Sequence, residues 1–138
     1  MAMDLDTARQ FLKDHSRSVL ATTRQSGRPQ MSPVVHAVDD QGRVMISTRA
    51  PAYKVTNIGR DPHVSLCALP DGFFGEWAQI DGTAEVVPLP KAMDLLVDLY
   101  RQVAGEHPNW DEYRQAMVSE QRCVIRITIE RAGPNRHR

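Results

Sequence analysis

Three strand-length segments in the first third of the chain are separated by turns only a few residues long. That spacing constrains the fold more than any other feature. Ser18-Val-Leu-Ala-Thr-Thr23 is rich in β-branched residues, and Gln30 to Val38 and Val44 to Thr48 read as two further strands. Gln25-Ser-Gly-Arg-Pro29 is a turn cluster, and Asp39-Asp-Gln-Gly42 is the strongest turn signal in the sequence. The second and third strands therefore form a hairpin. His63 to Leu69 reads as a fourth strand, turned by Pro70-Asp-Gly72. A long fifth strand from about Gly75 to Val87 ends at Pro88 and Pro90. Cys123, Ile125, Ile127 and Ile129 alternate inward on a last strand half open to solvent, and Arg131 to Arg138 read as a frayed polar tail.

Helices fill the intervals. Leu5, Ala8 and Leu12 recur at helical spacing over residues 4–14, behind Asp4 as a cap. Ala50-Pro-Ala52 opens a short helix, with Pro51 as its first residue, Gly59 at its end, and Val55 and Ile58 inward. Residues 91–104 carry an apolar stripe of Ala92, Leu95, Leu96, Leu99 and Val103, stopped by Gly105. Trp110, Tyr113 and Met117 share one face of another short helix, either core or lid. The sum is a mostly β, α+β chain of about six strands with peripheral helices. Such a pattern favours an antiparallel barrel over a doubly wound parallel sheet. A small barrel with an open edge calls for a partner, so a homodimer is expected.

Composition excludes several functions. The 138 residues make one domain, 1–138. Lys plus Arg equals Asp plus Glu at 17 each, which argues against a dedicated nucleic-acid binder. No apolar run is long enough to span a membrane. Asp4 and Asp6 stand where a secretory leader needs basic and then apolar residues, so a cytoplasmic chain is expected. Cys67 and Cys123 lie in apolar runs and read as buried, reduced thiols.

The sequence holds no glycine-rich phosphate loop, no paired cysteines at zinc spacing and no nucleophile elbow. His15, His36, His63, His107 and His137 show no metal-ligand spacing, so no metal is expected. If the chain is an enzyme, a bound cofactor carries its chemistry. Ser47-Thr48-Arg49 leaves a strand and Lys54 follows in the first turn of a helix. Two hydroxyls, a guanidinium, an ammonium and a helix N-terminus together make a phosphate cradle, unless they are an ordinary solvated turn. Pro33 interrupts the second strand, marking either an edge beside a flat ligand or an edge protected against aggregation. Trp77 on the long strand reads as core or dimer interface, or as a ligand platform. His36 reads as structural, or as a base.

Val19-Leu-Ala-Thr-Thr23, Gly27-Arg-Pro-Gln30 with Ser32, Ile46-Ser-Thr48, Lys54, Asn57 and Arg60-Asp-Pro62 resemble a known family. It is the pyridoxamine-phosphate-oxidase-like split β-barrel flavoproteins. Tyr100-Arg-Gln-Val-Ala-Gly-Glu-His107 and Trp110-Asp-Glu-Tyr-Arg-Gln-Ala-Met-Val118 resemble in particular its small actinobacterial branch that uses the deazaflavin coenzyme F-420. The resemblance runs from about Leu12 to Glu130. It implies a homodimer with two cofactor sites at the subunit interface, and hydride transfer to a conjugated or aromatic small molecule. It implies that the ring lies along Gln30, Ser32, Pro33 and Val34, and that the phosphate end lies at Ser47, Thr48, Arg49 and Lys54, with Asn57 in the same motif set. Trp77 and Ala78 match the position contributed by the partner subunit. Tyr53 stands where many relatives carry Arg. FMN is the alternative cofactor, and a non-catalytic module binding flavin or haem is a third reading.

Overall fold

The computed structural model describes residues 3–134. Helix α1 (Leu5–Asp14) precedes strands β1 (Arg17–Thr23), β2 (Pro29–Val38) and β3 (Val44–Arg49). Helix α2 (Tyr53–Arg60), β4 (His63–Leu69) and β5 (Ala78–Val87) follow, then α3 (Met93–Ala104), α4 (Trp110–Ser119) and β6 (Arg122–Gly133). The six strands close into an antiparallel barrel in the order β1-β2-β3-β6-β5-β4. The expected mostly β barrel with peripheral helices is the fold found. No helix among the described residues is long and apolar enough to cross a membrane.

Strand alternation divides the apolar residues into two layers. Leu20, Val44, Ile46, Leu66, Ile80, Ile125 and Ile127 fill the barrel interior. Ala37, Met45 and Val124 point outward and are covered by Leu96 and Leu99 of α3 and Tyr113 and Met117 of α4. That second layer explains why Val124 breaks the alternation of β6. It also makes the Trp110–Met117 face core: Tyr100, His107, Trp110 and Tyr113 pack ring to ring, and the Tyr113 hydroxyl donates to the Leu96 carbonyl at 3.0 Å.

Helix α1 plugs one end of the barrel with Ala8 and Leu12, and Asp4 caps it by accepting from the Thr7 N–H. Beneath it His36 is fully buried. Its Nε2 donates to the Leu12 carbonyl at 2.9 Å, and its Nδ1 accepts from the Ser18 hydroxyl at 2.6 Å. A carbonyl only accepts, so Nε2 carries a proton, and burial disfavours a second proton on the ring, which leaves Nδ1 to accept. Burial pushes its pKa down. Both ring nitrogens are thus engaged in structure.

Several boundaries differ from expectation. Pro51 stands in a turn ahead of α2, whose cap is Ala52, and the helix continues past Gly59 to Arg60. Ile58 is buried, whereas Val55 is half-buried. β5 begins at Ala78, so Gly75 to Trp77 belong to the preceding loop. Val103 is exposed, because Gln102 is the residue that faces β2: it accepts from the Val38 N–H and donates to the Val38 carbonyl, each at 2.7 Å. Arg131 to Gly133 continue β6 instead of fraying, and the rest of the expected tail, with His137, lies mostly outside the described residues. Cys67 is half-buried on the outer barrel face and Cys123 is buried; both are free, and burial raises both thiol pKa values.

Candidate functional site

β2 pairs with β1 from Pro29 to Val35, but it meets β3 only at His36, Ala37 and Val38. Beyond that point β3 pairs with β6 alone through Ser47, Thr48 and Arg49. The two strands therefore part, and the edge of β2 along Pro29–Val35 lacks a β3 partner. Pro33 stands in this one-sided segment, where a missing N–H is tolerated.

Register separates the expected ring-contacting residues by face. Gln30, Ser32 and Val34 lie opposite the buried Thr22, Leu20 and Ser18 of β1 and point inward. Pro33 points outward with Met31 and Val35, all exposed. The inward set holds the most informative atom of the chain. Ser32 Oγ is buried and is the one such side-chain polar atom, among the described residues, without a hydrogen-bond partner. An orphaned hydroxyl costs about 1–3 kcal/mol, which a polar ligand atom in the split would recover.

Gln30 is held from behind. Arg60 donates to the Thr23 carbonyl at 2.7 Å and to Asn57 Oδ1 at 3.0 Å. The buried Asn57 donates through Nδ2 to Thr22 Oγ1 at 3.1 Å, and Thr22 Oγ1 donates to Gln30 Oε1 at 3.3 Å. Asn57 thus acts as a positioning residue, tying α2 to the β1–β2 hairpin. Thr22 lies in the Val19–Thr23 run that carries the family resemblance, but its bonds to Asn57 and Gln30 join residues distant in the chain and give no sequence signal.

The expected cradle spans the end of β3 and the start of α2, and strand alternation splits it. Thr48 is largely buried on the inner face; Ser47 and Arg49 point to the other face of the strand. The cap of α2, Ala52, has no side chain to offer, and the N–H groups of Tyr53 and Lys54 meet no acceptor among the described residues. Arg49 and Lys54 form no ion pair among those residues, and neither do Arg24 and Arg28 in the β1–β2 turn. Five other arginines are paired: Arg9 with Asp6, Arg43 with Asp39, Arg101 with Glu106, Arg122 with Glu120, and Arg126 with Glu85. Arg24 and Arg60 flank a groove of about 400 Å³ that also reaches Gln30, Tyr53 and Asn57.

Trp77 and Ala78 are not part of this constellation within one chain. Ala78 is fully buried opposite Ala68, and Trp77 is half-buried just before β5. In the closed ring β5 lies three strands from β2, the greatest separation a six-stranded barrel allows.

The family model for pyridoxamine 5'-phosphate oxidase matches residues 5–135. The chain belongs to this family. Among solved structures, a conserved hypothetical protein from Mycobacterium tuberculosis is 24% identical with a TM-score of 0.78, covering 96% of this chain and 84% of that one. A protein named F420 reductase is 19% identical with a TM-score of 0.70, covering 91% and 94%. A FAD-binding protein from Mesorhizobium loti is 20% identical with a TM-score of 0.65, covering 96% and 94%. At these identities the structures establish the shared fold. The family binds flavin-type cofactors, and in this member the split between β2 and β3 exposes the edge that carries the unpartnered Ser32 hydroxyl.

Proposed function

We propose that the protein is a homodimeric oxidoreductase that uses coenzyme F-420 to reduce a conjugated or aromatic small molecule. The deazaflavin supplies a hydride from a ring carbon, so the chain need only bind, orient and exclude water. Ser32 Oγ and Gln30 would meet polar atoms of the ring. Thr48, Lys54 and the free N–H groups of α2 would hold the phosphate. Trp77 of a second copy would complete the site, because no single chain brings it to β2.

The unpaired cations beside the groove carry the choice of F-420 over FMN. FMN ends in one phosphate, which the β3–α2 cradle can hold by itself. F-420 continues through a phosphodiester to an acidic glutamate tail, and Arg24 and Arg60 offer that tail an unneutralised track.

Titration of the apo protein with F-420 and FMN, followed by tryptophan fluorescence, tests the reading. Tighter binding of F-420 supports it. Preference for FMN makes the protein an FMN-dependent member of the same fold, and binding of neither favours a non-catalytic module, with haem the next ligand to try. Lys54→Ala is expected to weaken binding of either cofactor by about 2 kcal/mol, roughly 30-fold, by removing a charge-assisted contact. An unchanged Kd in the folded variant removes Lys54 from the site. Arg24→Ala separates the two cofactors. Its side chain holds nothing else in place, so it should weaken F-420 about threefold at low salt and leave FMN unaffected. The difference should vanish in high salt; an equal effect on both cofactors would count against the tail track.

A further inference from the structure

Four side chains join into one hydrogen-bonded line that ends at the split between β2 and β3. Arg60 donates to Asn57 Oδ1 at 3.0 Å, Asn57 Nδ2 to Thr22 Oγ1 at 3.1 Å, and Thr22 Oγ1 to Gln30 Oε1 at 3.3 Å. Chemistry sets the direction. A guanidinium has donors only, so the Asn57 amide must turn its oxygen to Arg60 and its N–H groups to Thr22. Asn57 and Thr22 are 7% and 2% exposed, so water does not replace these bonds. Having accepted from Asn57, the Thr22 hydroxyl has one proton to place, and Gln30 Oε1 is its acceptor. That occupies the oxygen of the Gln30 amide and leaves Nε2 turned away from Thr22. Nε2 makes one long bond of 3.4 Å to the neighbouring Met31 carbonyl and no other among the described residues. Gln30 lines the same groove as Asn57 and Arg60, so a free N–H is what it shows to a ligand there.

We propose that Arg60, Asn57 and Thr22 form a one-way relay that fixes Gln30 as a hydrogen-bond donor, so that the site selects a cofactor ring with an acceptor atom, a carbonyl oxygen or an unprotonated nitrogen, at that position. The inference rests on the reading that Gln30 meets the ring. Ser32 Oγ, two residues along on the same face, can turn its proton either way, so Gln30 sets the polarity of this end of the split. A ring with an N–H at the same place would meet donor with donor and leave both unpaired. A cation at the head of the line polarises each bond after it and strengthens the last donor. Asn57 and Thr22 are positioning residues that act through Gln30.

Asn57→Asp keeps the shape and reverses the line. A carboxylate only accepts, so it keeps Arg60 and takes the Thr22 proton; the Thr22 oxygen then accepts from Gln30 Nε2, and the amide turns Oε1 to the split. Titration with F-420, followed by tryptophan fluorescence, should give N57D a Kd about tenfold above wild type. In a Q30A background the same substitution should change Kd by less than about twofold, because the relay has lost its last member. Thr22→Ser keeps the hydroxyl and should bind as wild type does. Thr22→Val cuts the line at equal shape, and should weaken binding about threefold in the wild-type background and not in Q30A. Losses that persist undiminished in Q30A would overturn the proposal, since the substitutions would then act on the cofactor by another route. Proton exchange of the Gln30 side-chain amide, read by NMR, tests the relay without cofactor. It should be fast in wild type and slower in N57D, where one N–H is held by Thr22; equal rates would overturn the relay. If neither F-420 nor FMN binds the wild type, the cofactor reading falls and the exchange rates alone decide the relay.

Discussion

His36→Ala should lower stability by about 3–4 kcal/mol, a drop in Tm of about 10–15 °C for a domain of this size. Three losses combine. A fully buried ring is replaced by a methyl group, which leaves a cavity between α1 and the barrel. The Ser18 hydroxyl, itself buried, loses its partner at 2.6 Å. The Leu12 carbonyl, in the last turn of α1 where no intrahelical N–H can reach it, loses the Nε2 donor at 2.9 Å. Thermal melts of wild type and variant check the figure. A loss below about 1 kcal/mol would mean that α1 is not bolted to the barrel through this ring.

The same residue sets an acid sensitivity. Desolvation is the largest cause of its lowered pKa, opposed by the backbone bonds at Leu12 and His15. The sign follows from linkage. Above the ordinary value of 6.5 the ring is neutral in both folded and unfolded chains. As pH falls through 6.5 the unfolded chain takes up a proton that the folded chain refuses. Stability therefore declines toward acid, until the pH reaches the lowered folded pKa. Denaturant melts between pH 7.5 and 5 should show a slope for wild type that is reduced in His36→Ala by up to about 1.4 kcal/mol per pH unit. Parallel slopes would contradict the buried neutral ring.

The strands were legible because their signals are local. β-branched runs, two short turn clusters and alternation place all six, and short connections make them antiparallel. Boundaries failed where a tertiary contact competes with a local preference. Pro51 suits a first helical position, but the Ala50 N–H is taken by the Gln121 carbonyl at 2.8 Å, so the chain turns before α2 begins. Val103 continues an apolar stripe, but Gln102 pairs with both backbone groups of Val38, and a neighbouring helical position then faces solvent. The site was legible as types of residue and not as a network. The Asn57–Thr22 bond joins residues 35 apart, a coupling that periodicity cannot show. A balanced charge count likewise hides position: Arg24 and Arg60, neither in an ion pair among the described residues, come together at one groove only in the folded chain.

Two glycine-to-alanine substitutions should act with opposite sign. Gly82→Ala is expected to cost about 3 kcal/mol, near 10 °C in Tm. Gly82 sits at an irregularity of the β5–β6 ladder, where Asp81 pairs with Arg131 and Gly82 with Ile129. A Cβ there would collide with the Thr128 carbonyl oxygen and lie 2.8 Å from Ile127 Cγ2. The first of these is backbone and cannot rotate aside, so β5 and β6 must part. Gly59→Ala, in the last turn of α2 with nothing within 4 Å of the new methyl, should instead stabilise by about 0.5 kcal/mol. The pair also bears on function. Displacing β5 at Gly82 shifts the strand that begins at Ala78 and carries Trp77 ahead of it, while Gly59→Ala leaves the Asn57–Thr22–Gln30 chain intact. Cofactor affinity should therefore fall with Gly82→Ala and hold with Gly59→Ala. Unaltered affinity in a destabilised Gly82→Ala protein would separate β5 from the cofactor site and return Trp77 to a role in packing alone.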